Sequence, residues 1–599
     1  MKKIRLLTGM LGILLVTFQA MGQTGTGDHS PSEYDRILFT GKIETLHKEP
    51  IPEVKVKVLV NGKEQPIMIK EADDELGTPP AFAPDNEIES SSNGEYTAIV
   101  YVPAHTANSS TIKLHIEKPS YESRDIEINN LTEVSGQPGE YIHYENITPM
   151  RHVGPAFYIS ALVLILIYIL ISFDIFHRTL VALLGAAVLL FISYVVGHYN
   201  DSYFILSFEN AKNYIDFNVI FLLMGMMLIV GIMKRTGVFQ WMAYKSYQLA
   251  KGDVWKLTII LMVVTAVVSA FLDNVTTMLL LTPVSIEIAL VLRISPWSLL
   301  LPEVLASNLG GTATLIGDPP NIMIGSYANL TFLNFLEDLT PVVILAMIAL
   351  IFFIKFVYGK EYKKAKLSPE KIRELLEKLK EEYKITNPKL LRHSLSVLLF
   401  VIILFVVHGV FHMEPSIPAL VGAALLMISA VFIDKINVAH MIEREIEWPT
   451  LVFFIMLYII VGAAVETGLI QMIAEWVANI SGGNFTLAII LIVWVSAISS
   501  AIVDNIPFTA TMLPIVAYLT QVIPNAESNI LWWALALGAC FGGNGTLIGA
   551  SANVVTAGLA EKAGHPISFI QFLKVGFPAM IISVIIATLY LVFVMPHIM

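Results

Sequence analysis

Ser307-Asn-Leu-Gly-Gly-Thr-Ala-Thr-Leu-Ile-Gly-Asp-Pro-Pro-Asn321 has a counterpart in Gly542-Gly-Asn-Gly-Thr-Leu-Ile-Gly-Ala-Ser-Ala-Asn553. Sliding the chain by 232 positions lays Gly310-Gly311 on Gly542-Gly543, Thr314 on Thr546, Gly317 on Gly549 and Asn321 on Asn553. Both stretches are apolar but broken by glycine, amides and hydroxyls. Glycines let a helix unwind at membrane depth, which frees backbone carbonyls for cations and half-helix amides for anions. A phosphate loop would need Lys-Ser/Thr after its glycines, and neither copy has it.

The match extends outward. An offset of 231 places Asp273-Asn274 on Asp504-Asn505, Ser269 on Ser500, Pro283 on Pro514 and Thr236-Gly237 on Thr467-Gly468; one of 237 places Leu183-Leu-Gly185 on Leu420-Val-Gly422. Paired polar motifs in register define an internal repeat. The halves are 156–358 and 394–598, joined by a charged linker at 359–393.

Composition agrees. Of 599 residues, 55% are hydrophobic and only 15% charged, with net charge −11; soluble proteins carry about 25% charged residues. The single cysteine, Cys540, excludes a disulfide framework and a cysteine metal cluster. A basic nucleic-acid footprint is absent too, so no nucleic-acid partner is expected. The chain reads as an integral membrane protein whose partner is the lipid bilayer.

Apolar runs recur at 156–173, 179–197, 217–233, 341–358, 394–411, 416–433, 449–465 and 577–596. Twelve Lys/Arg in 355–392 and five in 234–256 mark cytoplasmic segments, while the loops placed outside hold only Lys212. Parity closes if each half crosses five times, with 255–292 a re-entrant hairpin and 297–327 one broken span. Counting 255–292 as two full crossings gives the same parity. Either way the halves start on opposite sides, which makes an inverted repeat of the secondary-transporter kind. The expected fold is a polytopic α-helical membrane protein: two inverted repeats with re-entrant hairpins and broken helices, about ten crossings, preceded by a small all-β sandwich.

Residues 1–22 read as a signal peptide: Lys2, Lys3 and Arg5, then Leu6 to Phe18, then Ala20-Met-Gly22 at a cleavage site. An uncleaved anchor helix is the alternative. The excess negative charge sits in 23–155, with 22 acidic and 11 basic residues. There, Ile37–Ile43, Val54–Val60, Tyr96–Val102, Ile112–Ile116 and Ile126–Ile128 alternate with period two, separated by turns such as Asn61-Gly62 and Asn93-Gly94. Residues 23–150 are therefore an expected exported β-sandwich-like domain, after a flexible lead at 24–32. Phe39-Thr-Gly-Lys, Pro52-Glu-Val-Lys-Val and Asn93-Gly-Glu-Tyr-Thr resemble carboxypeptidase-regulatory-like or transthyretin-like domains. His105, His115 and His143 read as solvated, and the domain as an interaction module with a partner of its own.

A carboxylate in lipid costs about 2.5–3.5 kcal/mol on insertion scales. Asp273-Asn274-Val-Thr276-Thr277 and Asp504-Asn505-Ile-Pro-Phe-Thr509 therefore read as an ion or substrate site, its acids facing each other near the two-fold axis. Capping of half-helix ends by the same Asp residues is compatible with that role. Candidate ligands from the second motif are Ser307, Asn308, Gly311, Thr312, Thr314, Asp318, Asn321, Asn544, Thr546, Ser551 and Asn553. Sodium candidates are Asp273, Asn274, Asp504 and Asn505. The halves differ where Asp318-Pro-Pro faces Ala550-Ser-Ala and Asn308 faces Cys540, which could separate a coupling-ion site from a substrate site. Glu287, Glu303 and Glu466 are placed at interfaces, as are His177 and His412. Arg293 is the only cation found near the motifs.

The 307–321 motif with Asp273-Asn274 resembles the signature of the ArsB/NhaD/P-protein permeases, in the ion transporter superfamily of citrate and dicarboxylate carriers. The resemblance covers about 156–598 and omits the N-terminal domain. It implies scaffold and transport units, re-entrant hairpins and elevator-like alternating access; dimerisation, typical of the dicarboxylate branch, would make the chain a homodimer. It implies no organic cofactor, with sodium or the proton as coupling ion. Paired Asp residues favour Na+/H+ antiport in the inner membrane, with the N-terminal domain and C-terminus extracytoplasmic. Coupled organic-anion transport is second, and arsenite efflux third. No nucleophile–base or HExxH set supports an enzyme; a sensor using the exported domain is the other class.

Overall fold

The computed structural model describes residues 34–597 apart from 45–49, 52–53, 71–80, 84–85, 92, 119–120, 136–138, 152, 174, 365–376, 378, 382, 525 and 527. The expected signal peptide and the lead at 24–32 lie outside the described residues, as does much of the charged linker. The chain divides into two compact units, Met1–His152 and Val153–Met599.

The first unit is two packed sheets. One has the order β10-β11-β1-β7-β4-β5, with β1 Tyr34–Lys42, β4 Met68–Lys70, β5 Ala81–Phe82, β7 Glu95–Pro103, β10 Thr132–Glu133 and β11 Glu140–Tyr144. The other runs β3-β2-β8-β9, with β2 Lys55–Val60, β3 Lys63–Glu64, β8 Ile112–Glu117 and β9 Arg124–Ile128; β6, Glu87–Glu89, pairs on β2. Alternation sends Ile37, Phe39, Val56, Val58, Val100 and Leu114 into one core. Asn61 and Gly62 both have positive φ (52° and 79°), as a tight hairpin turn between β2 and β3 requires. Strand β11 pairs parallel to β1 and is absent from the sequence reading. Its Glu-Tyr-Ile-His-Tyr is half exposed and carries little alternation. His115 bonds Asp125 (2.6 Å) and His143 bonds the Asn130 carbonyl (2.8 Å), both at the surface.

The second unit is helical. Its first half holds α1 Pro155–Ser172, α2 Arg178–Phe191, α3 Phe208–Asn213, α4 Phe217–Lys234, α5 Val238–Ala250, α6 Val254–Phe271, α7 Asn274–Leu292, α8 Trp297–Gly311, α9 Pro319–Tyr327 and α10 Phe332–Lys364. The second half holds α11 Pro388–Val407, α12 Ser416–Asp434, α13 Val438–Glu445, α14 Trp448–Glu466, α15 Leu469–Ser481, α16 Phe485–Ile502, α17 Asn505–Val522, α18 Ile530–Gly542, α19 Ser551–Lys562 and α20 Phe569–Leu589. Each helix of the first half thus has its counterpart ten places on. Eleven helices among the described residues are long and apolar enough to cross a bilayer.

Packing repeats with the sequence. Helix α4 lies on α12 and α14 on α2; α7 lies on α19 and α17 on α9. Each contact is the two-fold image of its partner. The turns α6/α7 and α16/α17 meet the breaks α8/α9 and α18/α19 at one place, as hydrogen bonds among Asn274, Asn308, Asp318 and Asn505 require. Two hairpins whose tips meet each other inside the bundle are re-entrant; their sequences alone left that choice open. Glycines make the close approach: a Cβ on Gly310 would lie 2.2 Å from the Ala266 carbonyl oxygen, and one on Gly542 2.5 Å from that of Ala497.

Candidate functional site

The junction is built from helix ends. Asp273 caps α7, accepting the Thr276 amide (2.8 Å), and Asp504 caps α17, accepting the Ile506 amide (3.0 Å). The pair expected to face across the axis is thereby displaced by one residue. Asn274 and Asn505, the first residues of the two arms, are what converge there. Asn274 Nδ2 donates to Asp318 Oδ1 (3.3 Å), and Asn505 Nδ2 donates to both Asp318 oxygens (3.4 and 3.5 Å). Asp318 is 1% exposed. It stands at the N-cap position of α9 but makes no capping bond, since Pro319 and Pro320 follow it.

Asn308 ties the two halves together. Its amide donates to Asn544 Oδ1 (2.9 Å) and Asn553 Oδ1 (3.1 Å), while its oxygen accepts Asn274 (3.1 Å). Asn544 donates onward to the Leu305 carbonyl (3.3 Å). The breaks themselves are held by matching amides. Asn321 Nδ2 donates to the carbonyls of Thr312 (3.0 Å) and Thr314 (2.9 Å); Asn553 Nδ2 donates to those of Gly543 (2.8 Å) and Thr546 (2.9 Å). Thr314 and Thr546 spend their hydroxyls on the hairpin carbonyls of Ala270 and Ala501. Ser307 reaches Ser269 Oγ (3.1 Å), and Thr312 and Thr509 bond back to Asn308 and Asn505. Gly311 sits against Gly317 across the first break, where a Cβ would come within 2.6 Å of the Gly317 carbonyl oxygen. Cys540, the counterpart of Asn308, places Sγ 3.6 Å from Asn321 Oδ1.

Not every candidate is central. Thr276 lines a cavity of about 90 Å³ with Lys234, Arg444, Glu445 and Glu447, and Thr277 is buried with its hydroxyl unpartnered. Ser551 belongs to a cluster that the sequence reading missed. Arg178, on α2, donates to Ser551 Oγ (2.7 Å), to Thr450 Oγ1 on α14 (3.3 Å) and to Asp504 Oδ2 (3.4 Å); Ser551 donates to Asp504 (2.8 Å). Arg293 is thus not the only cation near the motifs. Arg178 stands 326 positions before Asp504, and only the packing of α2 on α14 brings it there. Its place at the end of an apolar run reads as an ordinary interfacial anchor.

One further expectation changes. Glu303 is 1% exposed, deep between α7 and α8 rather than at an interface. Its location follows from the re-entrant arms, which wrap α8 in protein over its whole length. Glu287 and Glu466 are partly exposed and accept Tyr383 and Tyr214 hydroxyls.

The two half-helix ends differ chemically. Helix α9 begins with Asp318 and two prolines, which remove amide donors and leave a carboxylate, a setting for a cation. Helix α19 begins with Ser551-Ala552 beside Arg178, a setting for an anion.

The citrate transporter family profile matches residues 168–538. An uncharacterized transporter of Mycobacterium tuberculosis is 41% identical over 72% of this chain and 97% of its own length. The P protein of Mus musculus is 37% identical over 71% of this chain and 59% of its own length. The crystal structure of the YdaH transporter of Alcanivorax borkumensis shares the fold, with TM-score 0.50 and 12% identity over 70% of this chain and 98% of that one.

Proposed function

Because the chain belongs to the citrate transporter family, we propose that this membrane transporter exchanges sodium ions for protons by alternating access, with Asp318 as the exchanging carboxylate. One observation carries the reading: Asn274 and Asn505, equivalent in the two halves, both turn their amides on the one carboxylate at the junction. A carboxylate there takes a proton in one state and a sodium ion in the other. Amide oxygens, hydroxyls and the carbonyls freed at the breaks supply the neutral part of a cation shell. Asp273 and Asp504, half-buried at the hairpin tips, set the charge of the approach.

The charge asymmetry of the loops supports a topology with the basic linker inside and the N-terminal unit and the C-terminus outside the cytoplasm. The N-terminal unit serves as a docking module for an extracytoplasmic partner. A homodimer is the working assembly.

The test is flux in proteoliposomes under imposed sodium and proton gradients. An added sodium gradient moves protons in the wild type; no proton movement, with accumulation of a carboxylate, overturns the reading. A second reading, coupled transport of an organic anion, is favoured by Arg178 beside the α19 end, where a guanidinium and free amides could receive a carboxylate.

A further inference from the structure

Glu303 has surroundings unlike those of the junction. One oxygen, Oε2, accepts the Ser285 hydroxyl of α7 at 2.9 Å; the other, Oε1, is buried without a partner. The hydroxyls of Thr282, one turn from Ser285, and of Thr265 on α6 are likewise buried and unpartnered. Among the described residues no Lys, Arg or His nitrogen pairs with Glu303.

The repeat shows that the fold does not require this polarity. Position 303 maps to Leu535, 285 to Val516 and 282 to Leu513, all buried. The second half replaces the acid and both α7 hydroxyls with hydrocarbon and keeps only the counterpart of Thr265, Ser496, which is likewise buried and unpartnered. The acid and the hydroxyls of Thr282 and Ser285 are an addition to one half.

We propose that Glu303 is a proton-binding site of this transporter, separate from Asp318. A metal cation needs a shell of several oxygens; one carboxylate and one bonded hydroxyl are too few, whereas a proton needs a single oxygen. A buried carboxyl with no counter-charge and a free oxygen holds its proton, because the alternative is an uncompensated charge in a dry interior. Release returns the proton to water and leaves the carboxylate accepting from Ser285.

The neighbouring helices supply no counter-ion. On α7, Glu287 accepts from Tyr383; on α10, Glu361 accepts the Ser295 amide and Tyr362 donates to the Ser298 carbonyl, left free by Pro302. Cys540 of α18 is turned to Asn321, and Lys256 of α6 pairs with Asp253. Glu561 of α19 and Lys574 of α20 are both exposed. Ser307, one turn along α8 from Glu303, contacts the Asn274 carbonyl at 3.4 Å and joins this site to the junction.

The use of that proton in transport rests on the antiport reading; its binding does not. The experiment is infrared difference spectroscopy of the full-length protein in lipid across a pH series. The wild type shows the carbonyl band of a protonated carboxylic acid, sensitive to deuteration, which Glu303→Gln removes. The triple variant Thr282→Leu/Ser285→Val/Glu303→Leu, which copies the second half, also lacks it and remains folded. Identical protonated-carboxyl bands in the wild type and both variants overturn the assignment. Proteoliposome flux separates the two readings: a wild type without exchange but with the band removes antiport and keeps the site, and exchange without the band does the reverse.

Discussion

Asn274 and Asn505 stand at the same position of two inverted hairpins, and both donate their side-chain amides to Asp318. The internal two-fold is thus broken at its centre by one acid, since position 318 maps to Ala550 in the other half. A symmetric cradle around an asymmetric ligand gives each hairpin a hold on the same charge.

Replacement tests that arrangement. Asp318→Asn keeps size and polarity but removes the charge, and abolishes sodium-driven proton movement in proteoliposomes. Asn274→Ala and Asn505→Ala each weaken ion binding on the order of 10–100-fold, the effect of losing a group that orients a ligand. The two losses are similar in size. A normal Asn505→Ala protein beside a dead Asn274→Ala protein would show that one hairpin alone holds the ion.

The close crossings α6/α8 and α16/α18 are packed backbone to backbone at Gly310 and Gly542. Alanine at either position must push a carbonyl aside. Each substitution lowers stability by about 1–3 kcal/mol, read as a lower unfolding temperature in detergent, whereas Gly558→Ala, which meets open space, changes it little.

Much of this was legible because a repeat is its own alignment. The offsets 231 and 232 predict which residues share an environment, and the junction is made of those residues. What could not be read were contacts with no sequence counterpart. Arg178 maps to Pro415 in the second half, so no symmetry announces its partner. Glu303 looked interfacial because a hydropathy run cannot tell lipid from a hairpin arm laid against the same helix. The expectation that Asp273 and Asp504 face each other erred by one residue, because an N-cap turns its carboxylate back onto its own helix. Strand β11 escaped because its outer face is neither apolar nor regular.

The N-terminal unit has its own core, separate from that of the helical unit. Phe39 is fully buried on β1, and Phe39→Ala costs about 3–5 kcal/mol. Tyr144, 60% exposed on β11, stays within about 0.5 kcal/mol of wild type when changed to Ser. Urea denaturation of a 31–152 fragment measures both; a fragment without a cooperative transition would show that the unit folds only with the rest of the chain.

The Arg178–Asp504 contact joins α2 to the tip of the second hairpin, with side chains 25% and 12% exposed. Removing one partner of a buried pair costs about 3–5 kcal/mol; with a quarter of Arg178 open to solvent, about 1–3 kcal/mol is expected for Arg178→Met. Asp504→Asn retains the cap, because Asn is as good an N-cap as Asp, so its effect isolates the charge. The double variant is then less destabilised than the two single losses added together, with a coupling of about 0.5–3 kcal/mol. Thermal unfolding of the four proteins in one detergent gives the cycle. Additive losses would mean that Arg178 is held by Ser551 and Thr450 alone, and that Asp504 carries its charge uncompensated at the hairpin tip.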